Sequence, residues 1–152
     1  MKITSSAFKH GERIPSEYSR YNENHSPPLS ISEIPPEAQS VVVIMDDPDA
    51  PHGTFTHWVM FNVDRNVGTI HENHPPRDVR MARNDWGESA YGGPRPPSGS
   101  HRYFFTAYAL DSRLDLPDGC SRGDVETAME GHVIASTQLM GTYAAPMAAD
   151  RS

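Results

Sequence analysis

The run Val41-Val-Val-Ile-Met45 is the longest continuously apolar stretch of the chain and is mostly β-branched. Its length and composition predict a strand buried on both faces. Residues Phe55 to Val63 alternate instead. Strand periodicity puts Phe55, His57, Val59 and Phe61 on one face, and Thr56, Trp58, Met60 and Asn62 on the other. Large groups on both faces place this strand centrally in its sheet. Ile3 to Phe8 reads as a short first strand, Arg102 to Leu110 as another, and Ile134 to Tyr143 as the last. Ser121, with Asp124 three residues on, predicts a capped helix whose buried face holds Val125 and Met129, and which Gly131 ends or disturbs. Pro15 to Pro36 has little periodicity. Asn66 to Pro97 is polar, rich in Gly and Pro, and long enough to be functional or mobile. These elements predict a mainly β fold, an antiparallel β-sandwich, as one domain over residues 1–145. Residues 146–152 are expected to be a flexible C-terminal tail.

Composition narrows the function classes. With 152 residues, 36% hydrophobic and 22% charged, the chain is an ordinary globular domain. Its 14 prolines are roughly double the usual share of about 5%, which favours shaped turns over long helices. A formal net charge of −7 argues against nucleic acid and anionic membrane surfaces as partners, although Arg83, Arg95 and Arg102 flank one turn cluster. Cys120 is the only cysteine, so no internal disulfide forms, and it reads as incidental. The N-terminus lacks the apolar core of a signal peptide, and no run approaches the ~20 residues of a membrane span. The expectation is a cytoplasmic protein with no transmembrane segment.

Chemistry concentrates in two clusters. One is Met45-Asp-Asp-Pro-Asp-Ala-Pro51 followed by Thr56-His57-Trp58. The other is Gly92-Gly-Pro-Arg-Pro-Pro97 followed by Ser100-His101-Arg102-Tyr103. Each stiff turn delivers a histidine to the start of a strand, as two walls of one polar pocket would. Asp47, Asp49, His57 and His101 supply groups for a metal site, an acid/base pair or an anion pocket. No local spacing such as H-x-x-x-H supports a metal, and no motif calls for a cofactor. Ser98 and Ser100 lie near His101 without a nucleophile-elbow pattern. An anion pocket asks for less: the freed backbone of Gly92 and Gly93, donors from His57 and His101, the Tyr103 hydroxyl, and Arg95 and Arg102 on the rim. A bare carboxylate about 4 Å from an anion is repelled by roughly 4 kcal/mol at an effective dielectric of 20. Asp47 is therefore expected either to orient a histidine ring or to be protonated when ligand is present. Plainer readings stand beside these: Asp49 as an Asx-turn residue, His57 as a satisfied core histidine, Arg102 as half of a sheet salt bridge.

The same clusters, with Glu23-Asn24-His25-Ser26-Pro27-Pro28-Leu29, Tyr108-Ala-Leu-Asp111, Gly131-His132 and Gly141-Thr-Tyr143, carry a resemblance. The chain resembles the phosphatidylethanolamine-binding-protein family, in particular its bacterial Raf-kinase-inhibitor-like branch. That resemblance implies two sheets packed face to face with a few short peripheral helices. It also implies non-enzymatic binding of a small anion, phosphate or a phospholipid headgroup, with Asp47, His57, Pro94, His101 and Tyr103 matching the family's binding residues and Asp49 and Gly93 beside them. Homodimerisation, and regulation of a protein partner such as a kinase, follow only by analogy. Two alternatives remain: a hydrolase or other acid/base enzyme using His57 and His101, and a protease or kinase inhibitor or adaptor that recognises a phosphorylated or acidic side chain. The chain departs from many bacterial relatives at Arg20 and Arg95, where those relatives carry cysteines. Each arginine then needs an acidic neighbour, solvent or an anion.

Overall fold

A computed structural model describes residues 1–146 of the chain. The strands are β1 (Lys2–Thr4), β2 (Leu29–Ser32), β3 (Ser40–Asp47), β4 (Phe55–Val63), β5 (Thr69–Ile70), β6 (Arg80–Met81), β7 (Ser100–Leu110) and β8 (Val133–Ala144). One helix, α1 (Arg122–Met129), precedes β8, and a single 3-10 turn covers Ser16–Tyr18. Three strands form one sheet in the order β1-β2-β5, and five form the other in the order β6-β4-β3-β7-β8. Every named strand pair is antiparallel. Six residues of the expected tail, 147–152, lie outside the described residues.

The apolar run from Val41 is continuous because β3 has an apolar layer on each side. Val41, Val43 and Met45 join Ile3, Leu29, Ile31 and Ile70 of the small sheet in the core between the sheets. Val42 and Ile44 face the opposite way, into a second core with Val59, Phe61, Leu114, Val125 and Met129 beneath α1. Burying each such side chain contributes about 1.5–3 kcal/mol. The helix starts as its sequence demands: Ser121 Oγ accepts from Asp124 N at 3.0 Å, and Asp124 Oδ2 accepts from Ser121 N at 3.1 Å. Val125 and Met129 form its buried face. No helix among the described residues is long and apolar enough to cross a membrane.

Strand β4 covers the range its alternation predicts, but its faces do not. The β3–β4 register slips twice, between Val41 and Val43 and between Met45 and Asp46. At the second slip Met45 pairs with Trp58 and Asp46 with Thr56, leaving His57 as the extra residue of a β-bulge. Strict alternation would group His57 with Val59 and Phe61 beneath α1. The bulge turns it instead to the side of Tyr103, whose ring it meets at 5.2 Å. Bulges re-aim side chains in this way. The first slip is managed by Asn62, which adopts φ 57°. Its amide donates to Leu114 O at 2.8 Å and accepts from Leu114 N at 2.7 Å, holding the post-β7 segment over the second core.

Replacing Asn62 with alanine strands both buried Leu114 groups and places an unfavourable residue at positive φ. Urea unfolding of Asn62→Ala should show a loss of about 2–4 kcal/mol. A loss below about 1 kcal/mol would remove Asn62 as the clamp.

Candidate functional site

The bulge sits beside a cleft of about 360 Å³ lined by Asp47, Ala50, Pro51, His52, Phe55, His57, Trp86, Arg95, Pro96, Pro97, His101 and Tyr103. Its floor comes from three adjacent strands. Asp47 ends β3, Phe55 pairs with it across β4, and His101 and Tyr103 occupy alternate positions of β7 on the inward face.

Buried hydrogen bonds fix the polar side chains. His101 Nδ1 lies 2.6 Å from Asp47 Oδ2, and Asp47 Oδ1 accepts from the Asp49 N–H at 2.8 Å. Both carboxylate oxygens of Asp47 are thus engaged within the protein. His57 Nδ1 lies 2.7 Å from Gly92 O and 3.2 Å from Gly93 O, while Gly92 N donates to His57 O at 3.0 Å. Burial pushes the His57 imidazole below its ordinary pKa, against the opposing pull of the Gly92 carbonyl and Asp47. Tyr103 is fully buried and its hydroxyl has no hydrogen-bond partner. Burial, then the Asp47 charge, pushes its pKa far up, so it stays a neutral O–H donor.

The connection from Asn84 to Pro97 builds the opposite wall. Buried Asn84 gathers it, with Oδ1 accepting from Trp86 N and Glu88 N and Nδ2 donating to Ala90 O, each at 3.0 Å. Trp86 meets Phe55 at 4.6 Å and His57 at 5.1 Å between ring centroids. A Cβ on Gly92 would lie 2.3 Å from the Trp86 ring, and one on Gly93 would lie 2.0 Å from Tyr18 O. Both positions therefore require glycine, for close approach.

The structure places Asp47, His57, His101, Tyr103 and Arg95 on the cleft. Asp49, Gly93, Pro94 and Arg102 stand behind its wall. The Asp49 carboxylate takes Arg102 N at 2.8 Å, Nε at 2.9 Å and Nη2 at 2.8 Å, tying the β3–β4 loop to β7. Gly93 N donates to Asn24 Oδ1 at 2.7 Å, and Pro94 O accepts from Arg20 N at 3.0 Å. The turns carrying Arg20 and Arg95 are therefore neighbours. Arg20 pairs with Glu88 at 2.8 Å and covers the Trp86 ring at 4.1 Å. Arg95 reaches the cleft and lies 5.7 Å from the Tyr21 ring. Sequence reasoning missed Phe55, His52 and Trp86. A lone tryptophan in a polar, aperiodic connection was the available signal for Trp86.

The family model described as phosphatidylethanolamine-binding protein matches residues 4–144. The chain belongs to this family. Among curated relatives, it is 48% identical over 148 residues to the UPF0098 protein of Methanothermobacter thermautotrophicus, covering 94% of this chain and 98% of the relative. It is 41% identical over 150 residues to the UPF0098 protein of Aquifex aeolicus, covering 94% and 88%. A phosphatidylethanolamine-binding protein homologue of Chlamydia trachomatis superimposes with a TM-score of 0.91 at 40% identity, over 95% of this chain and 97% of the other. Escherichia coli YbcL, described as a member of the mammalian family, gives 0.88 at 26% identity, over 95% and 98%. Membership is consistent with ligand binding.

Arg102 holds the Asp49 carboxyl down at about 2, chiefly by side-chain hydrogen bonding. An unfolded Asp titrates near 3.9. The contribution is therefore complete above about pH 4 and lost as pH falls toward about 2. The pair is solvent-exposed, so the effect is modest and screened by salt. Asp49→Asn should flatten that acid limb of the melting-temperature profile; an unchanged limb would show that Asp49 does not contribute to it.

Proposed function

We propose that this cleft binds a small anion, phosphate or a phosphate-bearing headgroup, and that the protein is a binder instead of an enzyme. The observation that carries the reading is the capture of Asp47 Oδ2 by His101 Nδ1 at 2.6 Å, with Oδ1 taken by Asp49 N. The repulsion a free carboxylate would exert is thereby relieved. What remains for a ligand is the outer nitrogen of each imidazole, the unpartnered Tyr103 hydroxyl and Arg95. Proline-rich walls at Pro51, Pro96 and Pro97 lose little conformational freedom on binding.

An Asp–His pair also serves acid/base catalysis, which is the competing reading. Against a covalent mechanism of the serine or cysteine type, the cleft lining contains no Ser, Thr or Cys among the described residues. Family membership favours the binder, since the family is generally one of binding proteins. A regulated protein partner such as a kinase would fit by inserting a phosphorylated or acidic side chain into the same cleft. Free phosphate would then compete with it.

Titration of inorganic phosphate at about pH 6.5 should move the imidazole NMR signals of His57 and His101 together. Immobile signals up to tens of millimolar, roughly the weakest useful range, would dismiss the anion reading.

Tyr103→Phe should weaken phosphate by about tenfold, as expected for a lost hydrogen bond to a charged partner. Arg95→Ala should weaken it by about threefold and flatten its salt dependence. Unchanged affinity in Arg95→Ala would make that residue a surface group.

A further inference from the structure

Which groups the cleft offers depends on where its protons already sit. A carbonyl oxygen only accepts, so the 2.7 Å contact with Gly92 O assigns the ring proton of His57 to Nδ1. In the neutral ring Nε2 is then a bare acceptor. His57 is 3% exposed, and burial favours that neutral ring. The titratable groups around it are Asp47, Asp85, His101, Tyr103, Arg95 and His52. Asp47 and Asp85 favour the charged ring, but each by less than burial opposes it. His101 differs, because its Nδ1 meets a carboxylate and not a carbonyl. The Asp47 carboxylate supplies a counter-charge beside that ring, which the Gly92 carbonyl does not supply beside His57. The Tyr103 hydroxyl is a donor.

Taking the anion-binding reading as the starting point, we propose that His57 Nε2 accepts a hydrogen bond from the ligand, so that the cleft selects oxyanions bearing their own O–H. An oxyanion without one would set a lone pair against a lone pair. Inorganic phosphate carries an O–H, and so does a phosphomonoester while it is singly ionised. Sulfate and phosphodiesters, the linkage of a phospholipid headgroup, carry none. The selecting element is thus the Gly92 carbonyl acting through the imidazole: it fixes the tautomer and thereby the polarity of the nitrogen left for the ligand.

Four probes test this on the native protein by calorimetry at constant ionic strength: inorganic phosphate, methyl phosphate, dimethyl phosphate and sulfate. Sulfate matches the charge of monohydrogen phosphate, so the pair isolates the O–H. At about pH 7.5, sulfate and dimethyl phosphate should bind about tenfold or more weaker than phosphate, the penalty of an unmade buried hydrogen bond. Methyl phosphate loses its O–H near pH 6, whereas inorganic phosphate keeps one throughout. The ratio of their affinities should therefore rise by about tenfold between about pH 6 and pH 8, while protein titrations shared by both cancel. Sulfate binding within about twofold of phosphate, a flat ratio, or a nitrogen NMR shift showing Nε2 protonated in the phosphate complex would each overturn the proposal. If phosphate itself fails to bind, the anion-binding reading falls, and this inference falls with it.

Discussion

The site depends on one extra residue in β4. Opposite the Met45–Asp46 step the strand carries three residues, Thr56, His57 and Trp58, where the ladder has room for two. Uninterrupted pairing would put His57 on the α1 side beside Asp46 and Arg122, away from the cleft. The bulge turns it toward Tyr103 and leaves an interruption in the ladder. Gly92 compensates for it by bonding to both the backbone carbonyl and the ring nitrogen of His57. A local loss of regular pairing thus becomes the means of fixing a side chain, with a defined tautomer as the by-product.

That compensation explains the long connection between β6 and β7. Its backbone must come close enough to β4 to reach the imidazole, and only glycine permits the approach under the Trp86 ring at position 92 and against Tyr18 O at position 93. The segment has no repetitive structure because its hydrogen bonds divide between the Asn84 side chain within it and other elements: Asp85 N to Thr56 O, Gly92 N to His57 O, Gly93 N to Asn24 Oδ1. Arg20 then covers the outer face of Trp86 and pairs with Glu88. An arginine at this position is therefore satisfied without an anion and acts as a support for the aromatic wall.

Legibility in the sequence followed burial and length. Strands β3, β4, β7 and β8 and helix α1 each bury a patterned face long enough for a period to show. The expected first strand, Ile3 to Phe8, shrinks to Lys2–Thr4, with Phe8 joining the inter-sheet core outside any strand. Strands β2, β5 and β6 hold four, two and two residues, too few to display alternation inside proline-rich segments. At the site, the two motif clusters named Asp47, His57, His101 and Tyr103 because proline-stiffened turns mark where polar residues converge. The face assignment of His57 failed, because alternation assumes an unbroken register and a bulge leaves no mark in composition. Trp86 went unread for a related reason: its partners, Phe55, His57 and Arg20, are distant in sequence.

The two histidines show why residue type alone underdetermines a site. Both lie on the cleft and both commit Nδ1 to an oxygen, yet one oxygen belongs to a neutral peptide and the other to a carboxylate. A peptide carbonyl fixes a tautomer without adding charge, so burial favours the neutral ring of His57. A carboxylate fixes the same tautomer while supplying a counter-charge beside the His101 ring. Exchanging these partners would preserve the composition of the cleft while moving the counter-charge from one imidazole to the other. The difference is set by Gly92 and Asp47, on separate elements brought together by the bulge.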